Sequence, residues 1–217
     1  MVARVLLFVV AVLSAAPAWA QTPDPLAPTE EFRGRLFLHF EAQAMTAKDS
    51  FEAVAGTSTM MGAGAGLEVQ NIWRGLFLRG AISRLSKTGE RVFVHEGEVF
   101  RLGIPLDITM TPIEVGAGWR FKALSSRGIV PYVGAGVLFL KHREESEGDG
   151  SGEGVNESFT GAAVFGGLEI PVWRKVSAGA ELGWRTAKVK EPGGAMAGFG
   201  ENNLGGITFR VMISFRN

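Results

Sequence analysis

Apolar and polar residues alternate along most of this chain with a period of two, in segments of roughly ten residues, the pattern of strands that show different surroundings to their two faces. In residues 35–45, Leu36, Leu38, Phe40, Ala42 and Ala44 share one face, and Phe37, His39, Glu41 and Gln43 the other. In residues 60–70, Met61, Ala63, Ala65, Leu67 and Val69 oppose Gly62, Gly64, Gly66, Glu68 and Gln70. A third segment starts at Gly75 and sets Leu76, Leu78 and Ile82 against Phe77, Arg79, Ala81 and Ser83. In residues 104–121 the apolar parity changes at Pro112, from Leu106, Ile108 and Met110 to Ile113, Val115, Ala117, Trp119 and Phe121, which predicts a bulge there. Glu114 and Arg120 fall on the other face of that second half. Residues 130–140, 159–170, 176–186 and 204–215 repeat the alternation and place Glu169, Glu181, Arg185 and Arg210 on the polar side.

The segments predict eight strands. Their connections alternate between short (71–74, 122–128, 171–174) and long (46–59, 86–103, 141–158, 187–203). That alternation fits an all-β, eight-stranded antiparallel up-and-down transmembrane β-barrel, with tight turns at one end and larger loops at the other. A soluble carrier barrel would carry many Lys, Thr and Glu on its polar face. Here that face is mostly Gly, Ala and Ser with a few Glu and Arg. Such small residues suit a narrow interior filled with side chains, not a water-facing surface. The polar face is therefore the lumen. Its charges are Glu41, Glu68, Arg79, Glu114, Arg120, Glu169, Glu181, Arg185 and Arg210, a near-balanced set expected to pair across the interior. Trp73, Trp119, Phe121 and Trp173 lie toward the short-turn end and Trp184 toward the long-loop end, as interfacial aromatic girdles do.

The first twenty residues add a location. Arg4 precedes an apolar run at 5–13, and Ala18-Trp19-Ala20 is a cleavage signature, so residues 1–20 are expected to be a secretory signal peptide cut after Ala20. Pro23, Pro25 and Pro28 make residues 21–33 a flexible periplasmic leader, and the barrel is expected over 34–217. Beyond the signal no stretch is apolar for the ~18 residues of a membrane helix.

Composition narrows the chemistry. With 22 Lys plus Arg against 22 Asp plus Glu, no basic footprint for nucleic acid exists. Without Cys there is no disulfide framework or thiolate site. His39, His95 and His142 show neither metal-ligand spacing nor a nucleophile pattern, so catalytic residues, metals and cofactors are expected to be none. The stretch 144–158 is an acidic loop without the ligand ladder of a calcium site.

The chain resembles the small eight-stranded outer-membrane barrels of Gram-negative bacteria, the class of the OmpA transmembrane domain and OmpW. The resemblance rests on Pro131-Tyr132-Val133-Gly134-Ala135-Gly136, Gly179-Ala180-Glu181 and the closing run Phe209 to Phe215. It departs in having Arg216 and Asn217 after the terminal aromatic Phe215, and in an expected lack of any peptidoglycan-binding domain after the barrel. The resemblance implies the cell outer membrane as location. It also implies outer-membrane lipids, lipopolysaccharide and the barrel-assembly machinery as partners of a monomer. The expected function is a non-enzymatic barrel with an envelope-structural and surface-contact role through its long loops. The alternative is a narrow pore or conduit for small hydrophobic or polar molecules, a class to which the inward Leu138 and Leu140 add an apolar upper lumen.

Overall fold

Eight strands pair in chain order and close on themselves as an antiparallel barrel: β1 (Arg33–Met45), β2 (Thr59–Gln70), β3 (Leu76–His95), β4 (Glu98–Arg120), β5 (Val130–Ser146), β6 (Val155–Pro171), β7 (Val176–Ala187) and β8 (Gly206–Arg216). The β1–β8 ladder completes the ring, from Arg35 opposite Arg216 to Met45 opposite Gly206. This is a computed structural model, and it describes residues 33–95, 97–121, 128–146 and 155–216. The expected signal peptide, nearly all of the expected leader and the middle of the acidic loop lie outside the described residues.

Within the closed ring each strand has a partner on both sides, the condition for crossing a bilayer with strands. The faces separate as the alternation requires. Leu36, Leu38, Phe40, Leu67, Val115, Leu168, Leu182, Val211 and their like are exposed on the outside, while Glu41, Glu68, Glu169, Arg185 and Arg210 are buried inside. The outer belt is free of charge among the described residues until Arg84, Asp107 and Lys141 mark its loop-side boundary.

The structure corrects the reading of β4. Register runs unbroken through Thr111, Pro112 and Ile113 against Lys141, Leu140 and Phe139, so there is no bulge at Pro112. Even-numbered residues point inward from Leu106 to Arg120, with Leu106, Ile108, Met110, Glu114 and Arg120 all buried. What changes at Pro112 is the filling of the lumen, from apolar above to charged below; the strand itself continues. Pro112 has no N–H to donate, and the β3 ladder is interrupted there, resuming in the same register between Leu85 and Met110. The irregularity lies higher, between Glu90 and Val92.

The long connections are also more ordered than alternation over 75–83 and 104–121 implies. β3 and β4 continue as a hairpin to His95 and Glu98, and β5 and β6 continue past the belt to Ser146 and from Val155. Two further connections hold short helices, α1 (Lys48–Ala55) and α2 (Gly194–Phe199). Helix α1 puts Phe51 and Val54 on one side, and both join the apolar cluster at the barrel mouth. It ends at Gly56, whose φ of 68° is the left-handed value glycine accepts most readily.

Candidate functional site

The lumen is built in layers, and each layer has a different chemistry. Nearest the short turns, Arg120 binds Glu68 at 2.8 Å and Glu169 at 2.6 Å. Arg35 joins them, 2.9 Å from Glu169 and 2.8 Å from the Ser214 hydroxyl. Arg216 donates to Glu169 at 2.6 Å and to Ser177 at 2.8 Å. Gln70 donates at 2.8 Å to the same Glu68 oxygen that Arg120 binds.

An aromatic layer follows. Phe77, Tyr132 and Phe165 pack as a cluster, with Phe77 and Tyr132 edge to face at 6.2 Å. Arg79 lies between Phe37 and Phe165, 4.5 and 4.6 Å from their ring centroids, a desolvated cation held by two π faces. Each large ring occupies the space that a glycine on the next strand leaves open: Phe37 against Gly66, Phe77 against Gly118, Phe165 against Gly134 and Tyr132 against Gly167. That is the physical use of the inward glycines.

The central layer is a continuous charge network. Arg185 grips both oxygens of Glu41 and donates to Glu114 at 2.5 Å and Gln43 at 2.7 Å. Arg210 donates to Glu41 at 2.6 Å, Glu114 at 2.7 Å and Glu181 at 2.9 Å. Arg79 completes Glu181 from below, and the Tyr132 hydroxyl donates to the same carboxylate at 3.0 Å. His39 and Ser83 are 2.9 Å apart, and Ser83 donates to Glu41 at 3.0 Å. Glu169 of β6 thus meets Arg120 of β4 inside the bore, past the intervening β5, while Arg79 reaches Glu114 only through Glu181 and Arg210.

The nine charges named from the sequence all lie in the lumen, each buried. Alternation singled out neither Arg35 nor Arg216, although both share the inward parity of their strands and lie at strand ends. Of the aromatics, Trp73 and Trp119 meet edge to face at 5.9 Å beside the β2–β3 turn, and Trp173 occupies the β6–β7 turn. Phe121 follows β4, and Trp184 faces outward on β7. Above the network comes an apolar cap: Met45, Met60, Leu85, Met110, Leu138 and Leu140, roofed by Phe51 of α1 and by Leu204. Among the described residues no cluster of His, Asp or Glu could hold a metal ion.

Comparison with known proteins matches the architecture. A family model described as outer membrane protein beta-barrel domain matches residues 6–216. No curated protein sequence matches the chain. Among solved structures it is similar to OprG of Pseudomonas aeruginosa, at 11% identity and a TM-score of 0.55, covering 86% of this chain and 95% of that one. It is also similar to Ail, the attachment invasion locus protein of Yersinia pestis, solved with the heparin analogue sucrose octasulfate (12% identity, TM-score 0.53, 86% and 99% covered). A major outer membrane protein of Thermus thermophilus matches at 9% identity and a TM-score of 0.54, over 85% of this chain and 99% of that one. With an apolar exterior around a filled lumen and a family match along nearly its whole length, the chain belongs to the outer membrane protein beta-barrel domain family.

Proposed function

We propose that this protein is a non-enzymatic, monomeric barrel of the outer membrane. It is held in the lipid and lipopolysaccharide layer, delivered there by the barrel-assembly machinery, and offers its loop end as a rigid platform for surface contact. The observation that carries the reading is the closed lumen. Arg185, Arg210, Tyr132, Phe37, Phe77, Met60, Leu85, Met110 and Leu138 are each under 2% exposed, so side chains fill the bore from turns to mouth. A small barrel filled in this way is a packed core.

Surface contact is supported at the other end. The β3–β4 hairpin rises beyond the apolar belt and exposes Phe93, Phe100 and Leu102 at 57%, 48% and 51%. Apolar side chains held out by an ordered hairpin above the lipid mark a contact surface. Ail is named for attachment; the support here is the hairpin itself.

The refolded protein in a planar bilayer tests the closed lumen. Small or flickering currents are expected, and a large steady conductance would replace the structural reading with the pore. Phe93→Ser with Phe100→Ser tests the platform: cells carrying the variant should keep a folded, heat-modifiable barrel and lose surface adhesion. Unchanged adhesion would remove the hairpin from the proposal.

A further inference from the structure

The loop end encloses a cavity of about 370 Å³ that the closed lumen does not use. Its floor is apolar, formed by Phe51, Leu106, Ile108, Phe159, Met196 and Leu204. Beneath the floor the apolar cap and the charge network seal it from the rest of the bore. Its polar lining is uneven in sign: Glu144, Glu157 and Glu191 against Arg91, with His142 among them.

His142 is the feature that points to a ligand. Its ring is 6% exposed, it lines the cavity, and its Nε2 makes no hydrogen bond. A Glu144 oxygen stands 3.3 Å from that nitrogen without hydrogen-bond geometry. A buried polar atom without a partner is costly to keep, and a ligand that supplies the partner removes the cost.

We propose that this cavity is a binding site for a small amphipathic cation, an alkylammonium ion whose chain lies on the apolar floor. Its ammonium is held between the His142 imidazole and the Glu144, Glu157 and Glu191 carboxylates. An ammonium brings three N–H donors to a site rich in acceptors. An anion would meet three carboxylates, and a neutral hydrocarbon would leave the buried imidazole nitrogen without a partner. Burial lowers His142 to about 4, so the ring is neutral at pH 7 and can present Nε2 as an acceptor. The pocket is blind, so the site holds its ligand at the cell surface and passes nothing through the barrel.

Titration of the protein in lipid nanodiscs with hexylammonium, corrected against empty nanodiscs, tests the site, with hexanol and hexanoate as matched probes. Saturable one-to-one binding of hexylammonium is expected, with hexanol and hexanoate each weaker by about tenfold or more. Glu144→Gln with Glu157→Gln should weaken hexylammonium by about tenfold and leave hexanol unchanged. Ala195→Trp should fill the cavity and abolish binding of every probe, with heat-modifiable migration showing that each variant folds. Equal binding of hexanol or hexanoate, indifference to the Glu substitutions, or no saturable binding in the folded protein would each overturn the proposal. None of these outcomes bears on the conductance that tests the closed lumen.

Discussion

At the scale of single residues, stability in the lumen depends on how many partners a charge keeps when one is removed. Arg79 has one carboxylate, Glu181, between its two aromatic faces. Glu181→Ala is expected to cost about 3–5 kcal/mol, because Arg79 then stays buried in a dry interior with no carboxylate. Glu114→Ala should sit at the low end of that range, since Arg185 and Arg210 both keep Glu41. Urea unfolding of the refolded protein checks both, and the Arg79→Ala/Glu181→Ala double variant should cost less than the sum of its singles. Additive losses would show the two charges solvated separately. Gly66→Leu is a steric counterpart: its side chain would enter the volume of Phe37 and the β3 backbone. That overpacking is expected to cost about 1–3 kcal/mol or more, and Phe37→Ala should partly relieve it in the same assay. Much of this was legible in the sequence, because period-two parity alone sends Glu41, Glu181 and Arg210 inward. Which charge meets which was not. Pairing across a bore depends on strand stagger, and parity carries no information about stagger.

At the scale of elements, the sequence showed the short-turn ends of the strands better than their loop ends. Alternation weakens when a strand leaves the membrane, since both faces of the β3–β4 hairpin then meet water or loops, and the helices hide in segments that read as connections. Helix α1 has a legible apolar spacing in Phe51 and Val54 but no capping side chain of its own, its N-cap being Ala47. The cap comes from 151 residues away: the Glu201 carboxylate accepts from the Ser50 amide at 2.9 Å and from the Asp49 amide at 3.2 Å. A carboxylate there meets both the free N–H groups and the helix dipole. Glu201→Ala should fray α1 by about 1 kcal/mol, read as faster hydrogen exchange at Ser50 and Phe51 with β1 unchanged. A pH effect belongs to the same end of the barrel. His142 on β5 is lowered by burial to about 4, below its unfolded value near 6.5, so its contribution is complete above that unfolded value and lost as pH falls from there through the folded one. Burial raises Glu144, which works in the opposite direction and favours the acid side. At pH 5 the loss at His142 amounts to about 2 kcal/mol, so amides at the loop ends of β5 and β6 should exchange faster than at pH 7 after correction for intrinsic rates. His142→Leu should remove that difference; a difference that survives would have another source.

At the scale of the whole molecule, the bore has four seals in series and not one plug. Arg35 and Arg120 with Glu68 and Glu169 close the turn end, Phe37, Phe77, Tyr132 and Phe165 the level above it, Arg79, Arg185 and Arg210 with their carboxylates the middle, and the apolar cap under α1 the mouth. Seals in series have a consequence for conductance, since the current follows the tightest constriction that remains. Removing the central guanidinium in Arg210→Ala leaves the aromatic layer and the apolar cap in place. That variant should be destabilised while its conductance stays at the level of the unmodified protein. Deleting residues 47–57 takes away α1 and uncovers the mouth, yet the charge network below it still blocks ions. Only the combination of that deletion with Arg210→Ala, Phe77→Ala and Arg120→Ala, one opening at each level, should produce a steady current. Single-channel recordings on the four proteins, each shown to be folded by heat-modifiable migration, test the series. A steady conductance from Arg210→Ala alone would mean that water already passes the aromatic and apolar layers and that the central charges are the gate. The barrel would then be a pore held shut by its salt bridges, and their stability cost would belong to gating instead of to the fold.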